Sequence, residues 1–229
     1  MWGWHTGTVR APALLLTATL ATAAASPATS LLAAGQYAQA YDTARAAGDD
    51  VTASEAALAE ALYHAADPGM WLGRAADAGR AATRAAPQDA GAHRTLGTVL
   101  CSQAARGGYT LGAYRLSWSC RSEYERSLAL DPAAAETRAA LARWHSGAWA
   151  RAGVFGGGDP SAARHLAADA QTHAPADLRV LVQVGLVAVD LRDSAWARRA
   201  FQAALAVAPG DAQERDLQAV ARAALSRLE

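Results

Sequence analysis

The segment that decides the fold runs from Arg179 to Pro209 and reads RVLVQVGLVAVDLRDSAWARRAFQAALAVAP. It predicts two antiparallel helices, 177–191 and 194–208. Its landmarks are Leu181, the pair Val184-Gly185, then Ala188, Ala197, Phe201 and Pro209. Gly185 and Ala197 are small where the two helices come closest, and Leu181 and Phe201 fill the space beside them. Pro209 ends the second helix because it has no N–H to give.

The same landmarks recur upstream. Closing prolines stand at Pro175, Pro132 and Pro87, at successive intervals of 34, 43 and 45 residues counting back from Pro209. Five residues before them come Ala170, Ser127 and Ala82, as Ala204 precedes Pro209. The pair returns as Leu96-Gly97 before Leu100, as Leu141-Ala142 before His145, and as Leu58-Ala59 before Leu62. Gly35, Tyr37 and Ala40 mark the second helix of a partial opening unit.

This order and spacing resembles the tetratricopeptide repeat, with Leu181, Val184 and Ala188 at the places usually held by Trp, Leu and Tyr. The resemblance implies an all-α, right-handed superhelical solenoid of antiparallel helix pairs spanning 26–229. A partial unit would occupy 30–48 and full units 51–87, 90–132, 134–175 and 178–209, with a capping helix at 211–228. The helices expected before the deciding segment are 36–47, 51–66, 71–86, 89–105, 117–131, 134–150 and 160–174. Arg143-Trp144-His145 and Phe155-Gly156-Gly157 are also distantly similar to the regulator-of-microtubule-dynamics group of tetratricopeptide proteins.

Composition agrees with helices. Apolar residues make up 52% of the chain, much of it alanine, and aromatics only 7%, a bias that favours closely packed helices over sheets. The formal net charge is +0, which argues against nucleic acid or an anionic membrane recruited by the bulk field.

Residues 1–25 read as a secretory signal peptide: one basic residue, Arg10, an apolar stretch too short to span a bilayer, then small residues. Cleavage after Ala23 or Ala25 would release a protein to the periplasm or medium, without stable membrane insertion. If the stretch has another role, as an uncleaved anchor or a misplaced start, the chain is anchored or cytoplasmic.

From Gly97 to Cys120 there are 23 residues, and from Ala142 to Ala163 there are 21, against 12 from Gly185 to Ala197. The surplus reads as two long loops within successive repeats, with a shorter one at 67–71. Such loops emerge on one edge of a solenoid, so that edge should carry Trp71, Tyr109, Tyr114, Trp118, Trp149 and Phe155. Cys101 and Cys120 flank the longer loop; they read either as a disulfide, worth about 3 kcal/mol in the chain-entropy model, or as two small buried side chains.

No catalytic grouping emerges. The six histidines lack zinc-site spacing, and His93 and His145 fall at core positions. The glycine-rich run 153–160 lacks the Lys-Ser/Thr ending of a phosphate loop, and reads as a connector in which Asp159 or Ser161 caps the next helix. The chain is therefore read as non-enzymatic, with no metal and no cofactor.

The resemblance implies that Glu60, Tyr63, Arg94, Thr98, Cys101, Arg143, Ser146, Val182, Leu186 and Val189 face the concave groove, the last three beneath the capping helix. Arg94 and Arg143 would either hold a partner's carboxylate in forked hydrogen bonds or pair with Glu60 or Glu136. The expected function is an exported scaffold for a protein or peptide partner, with no nucleic acid. The alternatives are a periplasmic small-solute-binding or transporter-associated accessory with a pocket under Trp118, Trp149 and Phe155, and a structural or oligomerising module.

Overall fold

The computed structural model describes residues 25–228, so all of the predicted signal peptide but Ala25 lies outside the described residues. Eleven α-helices follow one another there, and no strand: α1 (Pro27–Ala33), α2 (Tyr37–Ala47), α3 (Asp50–Ala59), α4 (Pro68–Ala85), α5 (Ala90–Arg106), α6 (Leu111–Leu130), α7 (Ala135–Ala152), α8 (Pro160–His173), α9 (Leu178–Asp190), α10 (Ser194–Ala206) and α11 (Ala212–Ser226). A single π turn, Glu60–His64, prolongs α3, and a 3-10 turn, Gly153–Gly156, follows α7.

Local chemistry fixes the boundaries. Asp49, Asp67, Asp89, Asp159, Asp177, Asp193 and Asp211 each precede a helix and accept a hydrogen bond from a backbone N–H of its first turn. Pro87, Pro132, Pro175 and Pro209 stand just beyond α4, α6, α8 and α10, where a missing N–H and a fixed φ prevent continuation.

Each helix packs on the next, and α3, α5, α7, α9 and α11 also pack on one another in series. The odd-numbered helices therefore form an inner layer and the even-numbered ones an outer layer, as in a solenoid of hairpins. Close approach within the hairpins depends on the small residues. A Cβ at Gly185 would lie 2.4 Å from the Phe201 ring, and one at Gly97 would lie 2.8 Å from the Tyr124 ring. Ala142, Ala163, Ala167 and Val184 join α7, α8 and α9 in one buried cluster.

The surplus residues are not long loops. They extend the helices, so that α5 and α6 are separated only by Gly107–Thr110, and α7 and α8 by the 3-10 turn and three further residues. Residues 98–106 contain no helix breaker before Gly107-Gly108, and Thr110 caps α6 through the N–H of Ala113, so the helices run on. In consequence Tyr114 and Trp118 are helical residues of α6, Trp149 belongs to the last turns of α7, and Trp71 lies in the first turn of α4, which Asp67 and Pro68 start three residues earlier than expected.

Candidate functional site

The six odd-numbered helices surround one cleft of about 480 Å³. Each contributes side chains to it: Thr29 from α1, Glu55 from α3, Arg94 and Thr98 from α5, Glu136 from α7, Arg179 and Gln183 from α9, and Gln213 from α11. Tyr63, on the π turn, and Asp211, the cap of α11, complete the wall.

The cleft is bounded because the two ends of the solenoid meet. The Tyr37 hydroxyl donates to the Asp216 carboxylate at 2.5 Å, and Tyr37, Ala59 and Ala212 share a buried cluster against Leu32 and Tyr63. Gly35 makes this junction possible: its φ is +82°, and a Cβ there would stand 2.9 Å from that of Ala212. Left-handed φ together with that contact leaves little room for another residue.

The charges in the cleft are paired. Arg94 reaches Glu136 at 3.0 Å and Glu55 at 3.6 Å, linking α3, α5 and α7. Arg179 meets Asp211 at 2.5 Å, Glu214 at 3.6 Å and the Gln213 amide oxygen at 2.9 Å. Glu55, Glu136 and Asp211 outnumber Arg94 and Arg179 by one, so the wall carries one excess negative charge. The Tyr124 hydroxyl donates to Thr98, which in turn donates to the Arg94 carbonyl. Burial, with Asp216 adding to it, pushes the Tyr63 hydroxyl up to about 12, and burial does the same for Tyr124. Burial followed by the Asp216 contacts carries Tyr37 above the usual tyrosine range. All three remain neutral donors at physiological pH.

Of the residues expected in the groove, Tyr63, Arg94 and Thr98 line the cleft. Glu60 lies elsewhere, 3.9 Å from His64 on the π turn. Arg143 and Ser146 converge instead on Asp190 of α9, Ser146 donating at 2.7 Å and Arg143 forming an ion pair. Burial lowers the Arg143 pKa and Asp190 opposes that. Cys101 and Cys120 are bonded to each other, joining α5 and α6. Val182 is buried and Leu186 packs into the cluster shared by α9, α10 and α11, whereas Val189 is exposed.

The expected aromatic edge divides. Trp71 packs edge-to-face on Tyr41 with Arg74 over its ring, and Trp149 is half-buried. Tyr114, Trp118 and Trp144 form a ladder of edge contacts, while Tyr109 and Phe155 project into solvent. Trp118, Trp149 and Phe155 line no part of the cleft. Arg179, Gln183, Asp211 and Glu55 enter the wall without having been expected there; Arg179 and Gln183, one helical turn apart, are the readable pair. Among the described residues no group of His, Cys, Asp or Glu is placed to hold a metal, and no helix is long and apolar enough to cross a membrane.

No protein-family model matches this sequence, and no curated protein matches it significantly. A solved structure described as a thermophilic TPR protein of Thermus thermophilus is similar over 87% of this chain and 95% of its own, at 15% identity and a TM-score of 0.64. That likeness identifies the architecture as a tetratricopeptide-like solenoid.

Proposed function

We propose that this chain is a non-catalytic binding scaffold that takes a segment of a protein or peptide partner in its concave cleft. The carrying observation is the cleft itself, to which every odd-numbered helix contributes. Its side chains are locked by interhelical ion pairs and hydrogen bonds, a preorganisation that lowers the ordering cost of binding. The wall alternates carboxylate and guanidinium groups, which suits the amide groups and mixed charges of a peptide better than an apolar or strongly anionic ligand.

A photocrosslinker at Gln183 tests this, read with and without Ala140→Trp, which fills the cleft without replacing a charged residue. A discrete partner adduct that disappears in the Ala140→Trp protein, with helicity retained, is the expected result. Adducts indifferent to the filled cleft would refute the reading.

A second reading rests on closure of the ends. A cleft bounded by α1 and α11 and of about 480 Å³ is within the size range of small-molecule sites, roughly 300–1,000 Å³, which supports a solute-holding accessory. Ligand-dependent thermal stabilisation across a panel of small zwitterions would favour it.

Export to the cell envelope is part of the proposal. The sequence of residues 1–25 supports it, and so does the Cys101–Cys120 bond, because such bonds persist in oxidising compartments. Recovery of the chain in a cytoplasmic fraction, with both thiols open to alkylation without reductant, would contradict it.

A further inference from the structure

The ends of the α5–α6 and α7–α8 hairpins form an edge that the cleft does not use. On α6, Leu111, Tyr114, Arg115 and Trp118 recur at helical spacing and share one stripe. Tyr114 and Trp118 meet edge to face at 6.1 Å. Gly157 lies against Trp118 so closely that a Cβ there would come within 2.6 Å of the ring. The stripe therefore runs from the Gly107–Thr110 turn to the segment that carries Val154 and Phe155. The side chains at its two ends stand clear of the protein: Leu111 is 64% exposed, Val154 72%, Phe155 86% and Tyr109 88%.

Charge is distributed unevenly around these side chains. Residues 90–122 and 137–158 contain no Asp or Glu, although the chain as a whole is neutral. Arg94, Arg121, Arg138 and Arg143 from these stretches are engaged by carboxylates. Arg106 and Arg115 are exposed and, among the described residues, pair with no carboxylate, whereas Arg151 folds back to donate to the Gly147 carbonyl beside the Arg143–Asp190 pair. The acids nearest in sequence are occupied: Glu123 by His93, Glu125 by Arg121, and Asp159 by the first turn of α8. The edge thus combines projecting apolar side chains with guanidiniums that have no counter-charge.

We propose that this edge docks on an anionic lipid surface, with Tyr109, Leu111, Val154 and Phe155 entering the headgroup boundary and Arg106 and Arg115 meeting the phosphates. A lipid surface fits better than an acidic protein because protein hot spots occupy desolvated recesses, whereas these side chains protrude from two adjacent turns. The contact is peripheral, as no described helix can span a bilayer. It acts through local charge, so a net charge of +0 does not oppose it, and raised salt weakens it.

Vesicle co-sedimentation of the full chain provides the test, with phosphatidylcholine alone compared with phosphatidylcholine containing phosphatidylglycerol. The expected result is a preference for the anionic vesicles that falls with salt. In one variant Val154 and Phe155 are replaced by Ser, and in another Arg106 and Arg115 by Gln; both should lose at least about tenfold in partitioning. These positions are exposed, so far-UV circular dichroism should be unchanged, and capture through the cleft, read at Gln183, should persist. Equal partitioning of the variants and the parent would overturn the proposal. So would binding of an immobilised poly-glutamate peptide through the same residues without any preference for anionic vesicles.

Discussion

The hydroxyl of Tyr37, on α2, donates a 2.5 Å hydrogen bond to the carboxylate of Asp216, on α11, across 179 positions of chain. In a linear solenoid each repeat touches only its neighbours, and the ends stabilise nothing but themselves. Here the first and last helices share a buried cluster with Ala59, so fraying of one end exposes apolar surface on the other.

Tyr37→Phe should therefore act at both termini. Removing the hydroxyl leaves Asp216 without its partner beside a buried ring, a loss of about 2 kcal/mol for a hydrogen bond to a charged group. Hydrogen exchange should show α1 and α11 losing protection together while α5 to α8 keep theirs. Loss of protection in α1 alone would mean that the ends are not coupled.

Gly185→Ala tests the close approach of α9 and α10. The added methyl would lie 2.4 Å from the Phe201 ring, and overpacking of this kind costs about 1–3 kcal/mol, partly offset by the better helix propensity of alanine, about 1 kcal/mol. The variant should melt lower than the parent. Combined with Phe201→Leu, it should cost less than the sum of the two separate losses, the sign of direct contact.

These packing contacts explain why the repeat is legible in the sequence. Gly185 with Phe201, and Gly97 with Tyr124, are local matches within one hairpin, and the Asp caps and closing prolines are local as well. The meeting of Tyr37 with Asp216 is not legible, because it depends on the rotation accumulated over every repeat between them. Helix continuation through 98–106 escapes any reading that imposes a fixed repeat length on a segment with no breaker. The candidate site is legible in part. Tyr63, Arg94 and Thr98 follow from the repeat register, and Glu136 is among the partners expected for Arg94. Arg143 and Ser146 turn to Asp190 instead, a pairing with the next hairpin that register alone does not determine.

Replacing Cys101 and Cys120 with Ser should destabilise the chain by about 3 kcal/mol, the loop-closure contribution expected for a link of this sequence separation. Cys120 precedes Tyr124 by one turn, as Ala197 precedes Phe201, and is fully buried. Cys120→Ala combined with Cys101→Ser should therefore avoid burying a hydroxyl and show a smaller loss. Chemical denaturation with and without reductant separates the two effects: reductant should lower the midpoint of the parent and leave both variants unchanged.

Acidification should weaken the α7–α8 hairpin through His145. Its Nδ1 accepts the backbone N–H of Asp159 at 3.2 Å, holding the start of α8 against α7. Burial, with Arg121 adding to it, holds its pKa below the ordinary histidine value, while Asp159 and Glu125 oppose the shift. The unfolded chain therefore takes up the proton first. Stability is complete above pH about 6.5, the unperturbed histidine value, and falls as pH drops from there toward the lower folded value, because the unfolded state binds more protons over that interval. Below the folded value the imidazole is charged in both states and its contribution stops changing. Protonation of the folded imidazole also removes the acceptor for Asp159, so the protection of that amide should fall as pH drops through the lower folded value. His145→Gln keeps an acceptor and cannot titrate. Thermal melts should show a shallower decline of Tm with acidification in this variant than in the parent, and parallel declines would assign the pH dependence to other groups.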